Sequence, residues 1–400
     1  METSEDKHQL SMLVGAALLM ATSAIGPGFL TQTAVFTEQY SFDLSLVILL
    51  TIIVTLFAQL NIWRIIVVSG KSGQDVANAA VPGLGYLISF LVFIGGIAFE
   101  MGNIAGTGMG LNVLFNIDVK TGAVISTIIC ITIFIVKEFE KAMDRFVQVL
   151  ACIMLFLVLC VAIISRPPVR EVAYRTVMPL GFDFMPFTTL IGGTVGGYIT
   201  FSGAHRLLNG GLRGTKDVKK ATSSATLGIV TSGILRYLLF FAVLGVVVRG
   251  IKLNPTNPAA TPFLAVAGDI GYKIFGLVFW CASVTSVVGC SFTSISFIRS
   301  YSKLIDNNFS KVIIGFIMLT TLAFVIVGQP VALLVFAGAI NGLILPFTLG
   351  AILTASRNKK IVGDSYHHPM WLIIGGIIVL VITTYAGIRS LGSIVALWSS

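Results

Sequence analysis

Ile25-Gly26-Pro27-Gly28-Phe29 interrupts the first long apolar run of the chain, near residues 9–40. Gly192-Gly193-Thr194-Val195-Gly196-Gly197 interrupts the sixth, near residues 187–209. A helix broken inside a bilayer exposes N–H and C=O groups that lipid cannot satisfy. It is tolerated only where protein or a hydrated cavity surrounds it. Two breaks in corresponding places, one opening each half of the chain, imply a secondary transporter with its substrate site near the bilayer midplane.

The rest of the chain agrees with that frame. Its 400 residues are 56% hydrophobic and 11% charged, with a mean hydropathy of +0.96, which describes an integral membrane protein. Eleven spans are expected, near residues 9–40, 43–67, 84–110, 121–136, 147–165, 187–209, 224–249, 272–298, 311–328, 330–355 and 370–388. The expected fold is therefore an all-α integral membrane protein forming a single transmembrane domain over residues 1–400. Repeat one spans about residues 9–165, repeat two about 187–355, and a peripheral eleventh helix about 370–388. An odd number of spans per half inverts one half relative to the other, the inverted 5+5 repeat with broken helices 1 and 6. The segments 166–186 and 210–223 read as the longest polar connections.

Met1–His8 is polar and mixed in charge, with no cleavage pattern after it, so no signal peptide is expected. Most of the 26 basic residues fall on the side carrying 137–145, 206–220, 299–311 and 357–360. The positive-inside rule then places the N-terminus in the cytoplasm and the C-terminus outside. The net charge of +9 follows from this bias and gives no reason to expect nucleic acid. Lys137–Arg145, with acidic residues interleaved, reads as a solvated connection. Cys130, Cys152, Cys160, Cys281 and Cys290 lie in apolar spans without metal or redox spacing and read as small core side chains. No phosphate loop, Ser/His/Asp grouping or cofactor motif is present, so neither an enzyme nor a nucleotide-driven pump is expected.

Several motifs carry a family resemblance. Gly106-Thr107-Gly108-Met109-Gly110-Leu111-Asn112-Val113-Leu114-Phe115 is similar to G-T-A-x-A-L-N-L-L-F in the third helix of the NRAMP family. Leu190–Val195 is similar to the start of that family's broken sixth helix. Leu345-Pro346-Phe347-Thr348-Leu349, with Thr354–Arg357 and Ile361-Val362-Gly363, is similar to the end of its tenth. The resemblance implies eleven or twelve spans, a LeuT-like inverted repeat, alternating access and proton-coupled transport of divalent metals. In metal-transporting members the first break reads D-P-G-N and the sixth A-T-V-M-P-H, and the Asp, Asn and Met side chains hold the ion. Here the matching positions are Gly26, Phe29 and Gly196, and a glutamine of the tenth helix falls at Gly338. Every side-chain ligand of that metal site is missing.

A divalent cation needs oxygen donors and counter-charge, and a softer one also uses sulfur or nitrogen. The substitution pattern therefore argues against metal as cargo, unless Thr37, Glu38 and Gln39 form the unwound segment instead. The three glycines are expected to enlarge the cavity, and free N–H groups around Leu30, Thr31 and Gln32 to point into it with positive dipole. The expected substrate-binding set is Gly26, Pro27, Gly28, Phe29, Thr31, Gln32, Thr194, Gly196, Gly197 and Tyr198. The alternative is that Gly-Pro-Gly is only a kink and the polar residues only join helices.

Glu100, Asn103 and Arg236 form the expected proton-coupling set. Glu100 aligns with the Asp of the family's D-x-x-E pair and Asn103 with its Glu. Glu100 reads as a proton acceptor, with a structural Glu100–Arg236 ion pair as the alternative. The coupling ion is left open between H⁺ and Na⁺, and no other cofactor is expected. The 205–220 loop, basic from Arg206 onward, reads as a topology and headgroup signal, and His367-His368 as a solvated pair.

The resemblance extends to a bacterial variant with the same Gly-Pro-Gly-Phe break, associated with 5-oxoproline utilisation. It implies a plasma-membrane carrier for a small organic acid. The alternatives are a divalent-cation transporter (Mn, Fe or Mg) and a transport-inactive sensor or scaffold. The expected partners are the small-molecule or ion substrate and the lipid bilayer, with no obligate protein partner inferred.

Overall fold

The computed structural model describes Leu13 and residues 26–135, 152–299 and 301–396. The part of span 1 before Gly26 (Leu13 apart) and the 137–145 connection lie outside these residues. The order begins with α1 (Pro27–Tyr40), α2 (Leu44–Ser69), α3 (Gly73–Ala80), α4 (Leu84–Phe115) and α5 (Val119–Ile135). It continues with α6 (Cys152–Ile164), α7 (Val169–Val177), α8 (Phe184–Val195), α9 (Ile199–Asn209) and α10 (Val218–Val247). The last are α11 (Thr261–Arg299), α12 (Lys303–Asn307), α13 (Phe309–Val327), α14 (Pro330–Ser356), α15 (Lys359–Val362) and α16 (Met370–Ala396). No strand occurs among the described residues.

Seven helical stretches are long and apolar enough to cross a membrane, or up to eight if the bent pair α6–α7 is one span. Eleven spans are consistent with this. Pro27–Ser69 is one stretch in that reckoning yet covers parts of two expected spans, and α5 and the α8–α9 pair are shorter pieces. The outward faces suit lipid: Phe90, Phe156, Ile163, Leu322, Ile326 and Val381 are each at least 59% exposed.

Helix α4 is the axis of the bundle, and its small residues explain why. Lipid tails are as apolar as the core, so membrane helices associate through close packing rather than through exclusion of water. A Cβ on Gly106 would press into Pro27 and Ser283, one on Gly108 into the Val119 carbonyl, and one on Gly110 into the Trp280 backbone. The motif over 106–115 is thus a contact strip that lets α1, α5 and α11 approach. Gly95 and Gly96, one face further on, receive Asn341 of α14 and Ser294 of α11.

The 166–186 connection differs from expectation. After a 99° bend, residues 169–177 form α7, with Val172 buried and Thr176 Oγ1 donating to Ser45 Oγ at 2.8 Å. Pro167-Pro168 forces the corner, and the single apolar face is too short to register as a span. Asp183 then caps α8, accepting from the Met185 amide at 2.9 Å, and its second oxygen accepts from Tyr40 Oη at 2.6 Å. That carboxylate ties the end of α1 to the start of α8.

Candidate functional site at the helix breaks

Gly26 is extended (φ −60°, ψ 177°) and caps α1, whose first residue is Pro27. Proline suits that position because its φ is preset and its missing N–H is not needed there. The Leu30 amide already donates to Gly26 O at 3.3 Å. The free donors at this helix start are therefore Gly28 and Phe29, not Leu30, Thr31 and Gln32 as expected. The Gly-Pro pair marks the boundary in the sequence. Neither amide receives a side-chain cap, so both keep the positive end of the helix dipole at the break.

The second break lies between α8 and α9, at Gly196-Gly197-Tyr198. Gly197 takes φ +55°, a left-handed conformation that glycine adopts at little cost. Thr200 Oγ1 donates back to the Val195 carbonyl, satisfying one backbone group released by the break. Thr194 Oγ1 donates to Leu190 O at 2.6 Å and is committed to its own helix.

The glycines here do not enlarge a cavity. A Cβ on Gly192 would overlap the Gly338 carbonyl, one on Gly196 the Asn341 carbonyl, and one on Gly197 the Asn341 side-chain oxygen. They let α8 lie directly on α14. Gly193 and Gly338 both face Gln32, whose amide occupies the room they leave. Gln32 Nε2 donates to Leu334 O at 2.7 Å, and its Oε1 has no partner. A glutamine from the first helix thus stands beside Gly338, where the resemblance expects a glutamine from the tenth.

Several buried polar atoms near the breaks lack partners: Thr31 Oγ1, Gln32 Oε1, Thr33 Oγ1, Glu100 Oε2, Asn103 Nδ2 and Asn341 Oδ1. Buried polar groups are normally paired, and a local excess of unpaired ones indicates a place where a ligand, ion or water binds. Glu100 is fully buried on α4 and accepts from Ser291 Oγ of α11 at 2.5 Å. Tyr198 packs edge-on against Phe99 at 5.5 Å between ring centroids. Pro27 packs on Gly106, and a Cβ on Gly28 would meet Gln32, Phe99 and Leu334 at ordinary contact distance. Phe29 is 2% exposed within an apolar cluster with Met109, Phe275 and Phe279, and serves as core.

Two alternatives and one expected placement are corrected. Thr37, Glu38 and Gln39 are the last turn of an unbroken α1; Thr37 is buried, Glu38 and Gln39 are exposed, and Glu38 accepts from the Leu253 amide at 2.9 Å. Arg236 does not pair with Glu100. Its Nη1 turns to Thr51 Oγ1 at 3.3 Å and Thr55 Oγ1 at 3.5 Å on α2, away from the Glu100–Asn103 face. His368 is not solvated: it is 8% exposed, with Asn61 Oδ1 and Tyr366 Oη each 2.8 Å from its ring nitrogens, while His367 is exposed.

Asn341 and Ser291 are site residues that sequence reading missed. Asn341 Nδ2 bridges α14 to α4 through Gly95 O at 2.9 Å. A lone amide in an otherwise apolar span was the available signal. Among the described residues, no group of three His, Cys, Asp or Glu side chains is placed to hold a metal ion. A cavity of about 420 Å³ lined by Asp118, Lys120, Thr256 and Gln329 lies apart from the breaks.

Helices throughout the described residues, with glycine breaks meeting at a buried polar centre, define the LeuT-like fold. Residues 17–391 match the Natural resistance-associated macrophage protein-like (Nramp) family, and the chain belongs to it. It is a multi-pass membrane transporter and not an enzyme. Membrane protein YcsG of Bacillus subtilis is 51% identical over 390 residues, covering 97% of this chain and 96% of that one. The Eremococcus coleocola manganese transporter superposes with a TM-score of 0.76 at 16% identity, covering 100% of this chain and 90% of that one. MhsT in complex with L-phenylalanine superposes with a TM-score of 0.63 at 14% identity, covering 94% and 97%. Both likenesses establish fold only.

Proposed function

We propose that this Nramp-family protein is a secondary-active carrier of a small organic acid, with 5-oxoproline as the leading substrate, working by alternating access in a bacterial plasma membrane. The observation that carries the reading is the donor set at the breaks. The positions that would supply a carboxylate, an amide and a thioether to a metal are Gly26, Phe29 and Gly196. What remains is the positive end of α1, at the Gly28 and Phe29 amides, beside uncommitted amide and hydroxyl groups. A helix start within a buried polar site favours an anion.

A cyclic amide acid uses that mixture fully. Its carboxylate takes the Gly28 and Phe29 amides, its ring N–H finds Gln32 Oε1 or Asn341 Oδ1, and its ring carbonyl takes Asn103 Nδ2. The close packing of α8 on α14 means that the helices part for the ligand to enter. MhsT was captured with L-phenylalanine, so this fold accommodates a carboxylate-bearing molecule in another protein. Glu100 serves as the proton-coupling carboxylate, with Ser291 orienting it. Residues 1–400 act as one transport domain, with the N-terminus cytoplasmic and the C-terminus outside.

A second reading is transport of a hard cation, favoured by the unpaired oxygens of Thr31, Gln32 and Asn341. The same oxygens suit Na⁺ as a coupling ion. Equilibrium binding to the purified protein separates the readings. Labelled 5-oxoproline is expected to bind saturably and to lose at least tenfold in affinity in Gly26→Asp, where a carboxylate faces a carboxylate. Binding of Mn²⁺ or Mg²⁺ but not of the acid would reject the organic-acid reading.

A further inference from the structure

We infer that the seam between α2 and α10 is a second binding site, for a small monovalent anion such as chloride or a free carboxylate group, held by Arg236. Arg236 is 2% exposed, and its Nε and Nη2 have no hydrogen-bond partner. Nη1 meets only the Thr51 and Thr55 hydroxyls, at 3.3 and 3.5 Å. Those hydroxyls donate their own protons to Ile48 O at 2.8 Å and Thr51 O at 2.7 Å. They offer the guanidinium lone pairs but no charge.

Among the described residues, no carboxylate forms an ion pair with Arg236. Glu100 is engaged by Ser291, Glu38 by the Leu253 amide and Asp43 by the Leu180 amide. The sequence from 14 to 25 contains no acidic residue. A buried unpaired charge within a membrane costs several kcal/mol, so such residues are paired or functional.

The same helix face carries more unmet donors. Thr51, Thr55, Gln59 and Trp63 recur every four residues along α2, about 6 Å apart on one stripe. Gln59 and Trp63 are fully buried; Gln59 has neither polar atom paired, and the Trp63 indole N–H has no acceptor. The guanidinium, with the Gln59 amide N–H one turn beyond Thr55, selects an anion and repels a cation. One net positive charge selects a monovalent ligand, and the tight burial selects a small one. This site is distinct from the helix breaks and independent of what the protein carries.

The test uses the full chain in nanodiscs, with ionic strength held by the bulky anion morpholinoethanesulfonate. Chloride or acetate is titrated while thermal unfolding is followed. The expected result is a saturable rise in Tm with each anion and mutual competition between them. Arg236→Met is expected to abolish the response and to unfold at a higher temperature than the wild type in anion-poor buffer, because no charge is left uncompensated. Gln59→Leu is expected to weaken apparent anion affinity about tenfold. Should Arg236→Met fail to fold, ³⁵Cl line broadening on the wild-type protein, displaceable by acetate and weakened by Gln59→Leu, decides the matter. Chloride binding alone identifies an inorganic ion as the occupant, and acetate binding alone a carboxylate. A wild type that responds saturably to neither anion, or an Arg236→Met protein that responds as the wild type does, overturns the inference.

Discussion

At the scale of single residues, the site turns on Gln32 and the two glycines that face it. Gly193→Ala places a methyl group against Gln32 Oε1, and overpacking of this kind costs about 1–3 kcal/mol. The expected outcome is a lower Tm and slower uptake; the double variant Gly193→Ala/Gln32→Ala recovers Tm by relieving the contact but not uptake, because Gln32 is itself a ligand. A double variant that behaves as the sum of two independent lesions would show that the contact does not matter. Glu100→Gln is expected to flatten the pH dependence of uptake while preserving folding, because the amide still accepts from Ser291. An unchanged pH profile removes the proton role. That Gly26, Phe29 and Gly196 carry no side chain able to hold a metal was legible in the sequence, because side-chain chemistry is written there directly. The seat of Gln32 was not, since it depends on which face of α1 meets Gly193 and Gly338 across the bundle. Close glycine packing was misread as empty space for a related reason. Whether a missing side chain leaves a void or admits a neighbour is decided by the partner helix.

At the scale of elements, the loop after α15 is fastened to α2 by a relay of side chains. Asn61 Oδ1 accepts from His368 Nε2, so Nδ1 accepts from Tyr366 Oη, whose oxygen in turn accepts from Arg64 Nε at 3.3 Å. Arg64 also donates to Thr222 Oγ1 at 3.2 Å, adding α10 to the latch. Burial and, less strongly, the Arg64 charge lower the His368 pKa to about 4 from 6.5. The folded protein therefore holds this histidine neutral while the unfolded chain takes up a proton. The stability it contributes is complete above about pH 6.5 and is lost as the pH falls towards 4, about 3 kcal/mol in all. His368→Gln is expected to remove that part of the slope of stability against pH, read as Tm of the reconstituted protein from pH 7 to 4. Equal slopes in the two proteins would contradict the latch. The long apolar helices were legible from hydropathy alone. The 166–186 connection hid α7, because nine residues with one buried valine carry almost no periodic signal.

At the scale of the molecule, the inverted fold follows from two glycine breaks and from small residues that let helices touch where lipid supplies no driving force between them. The class was legible because bilayer physics permits few ways to break a helix. The cargo was less so, since one fold is shared by a manganese transporter and by MhsT in complex with L-phenylalanine. The basic residues on one side predict a cytoplasmic N-terminus and an external C-terminus. Impermeant labelling of a C-terminal tag in intact cells is expected, and labelling only after permeabilisation reverses the orientation. The central claim is that exchange of the metal ligands changed the class of substrate. Its most direct test is uptake by the purified protein in liposomes, comparing labelled 5-oxoproline with Mn²⁺ and Mg²⁺ at matched driving force. The account predicts saturable uptake of the acid that neither metal competes with or replaces. Saturable metal uptake with no movement of the acid would contradict it.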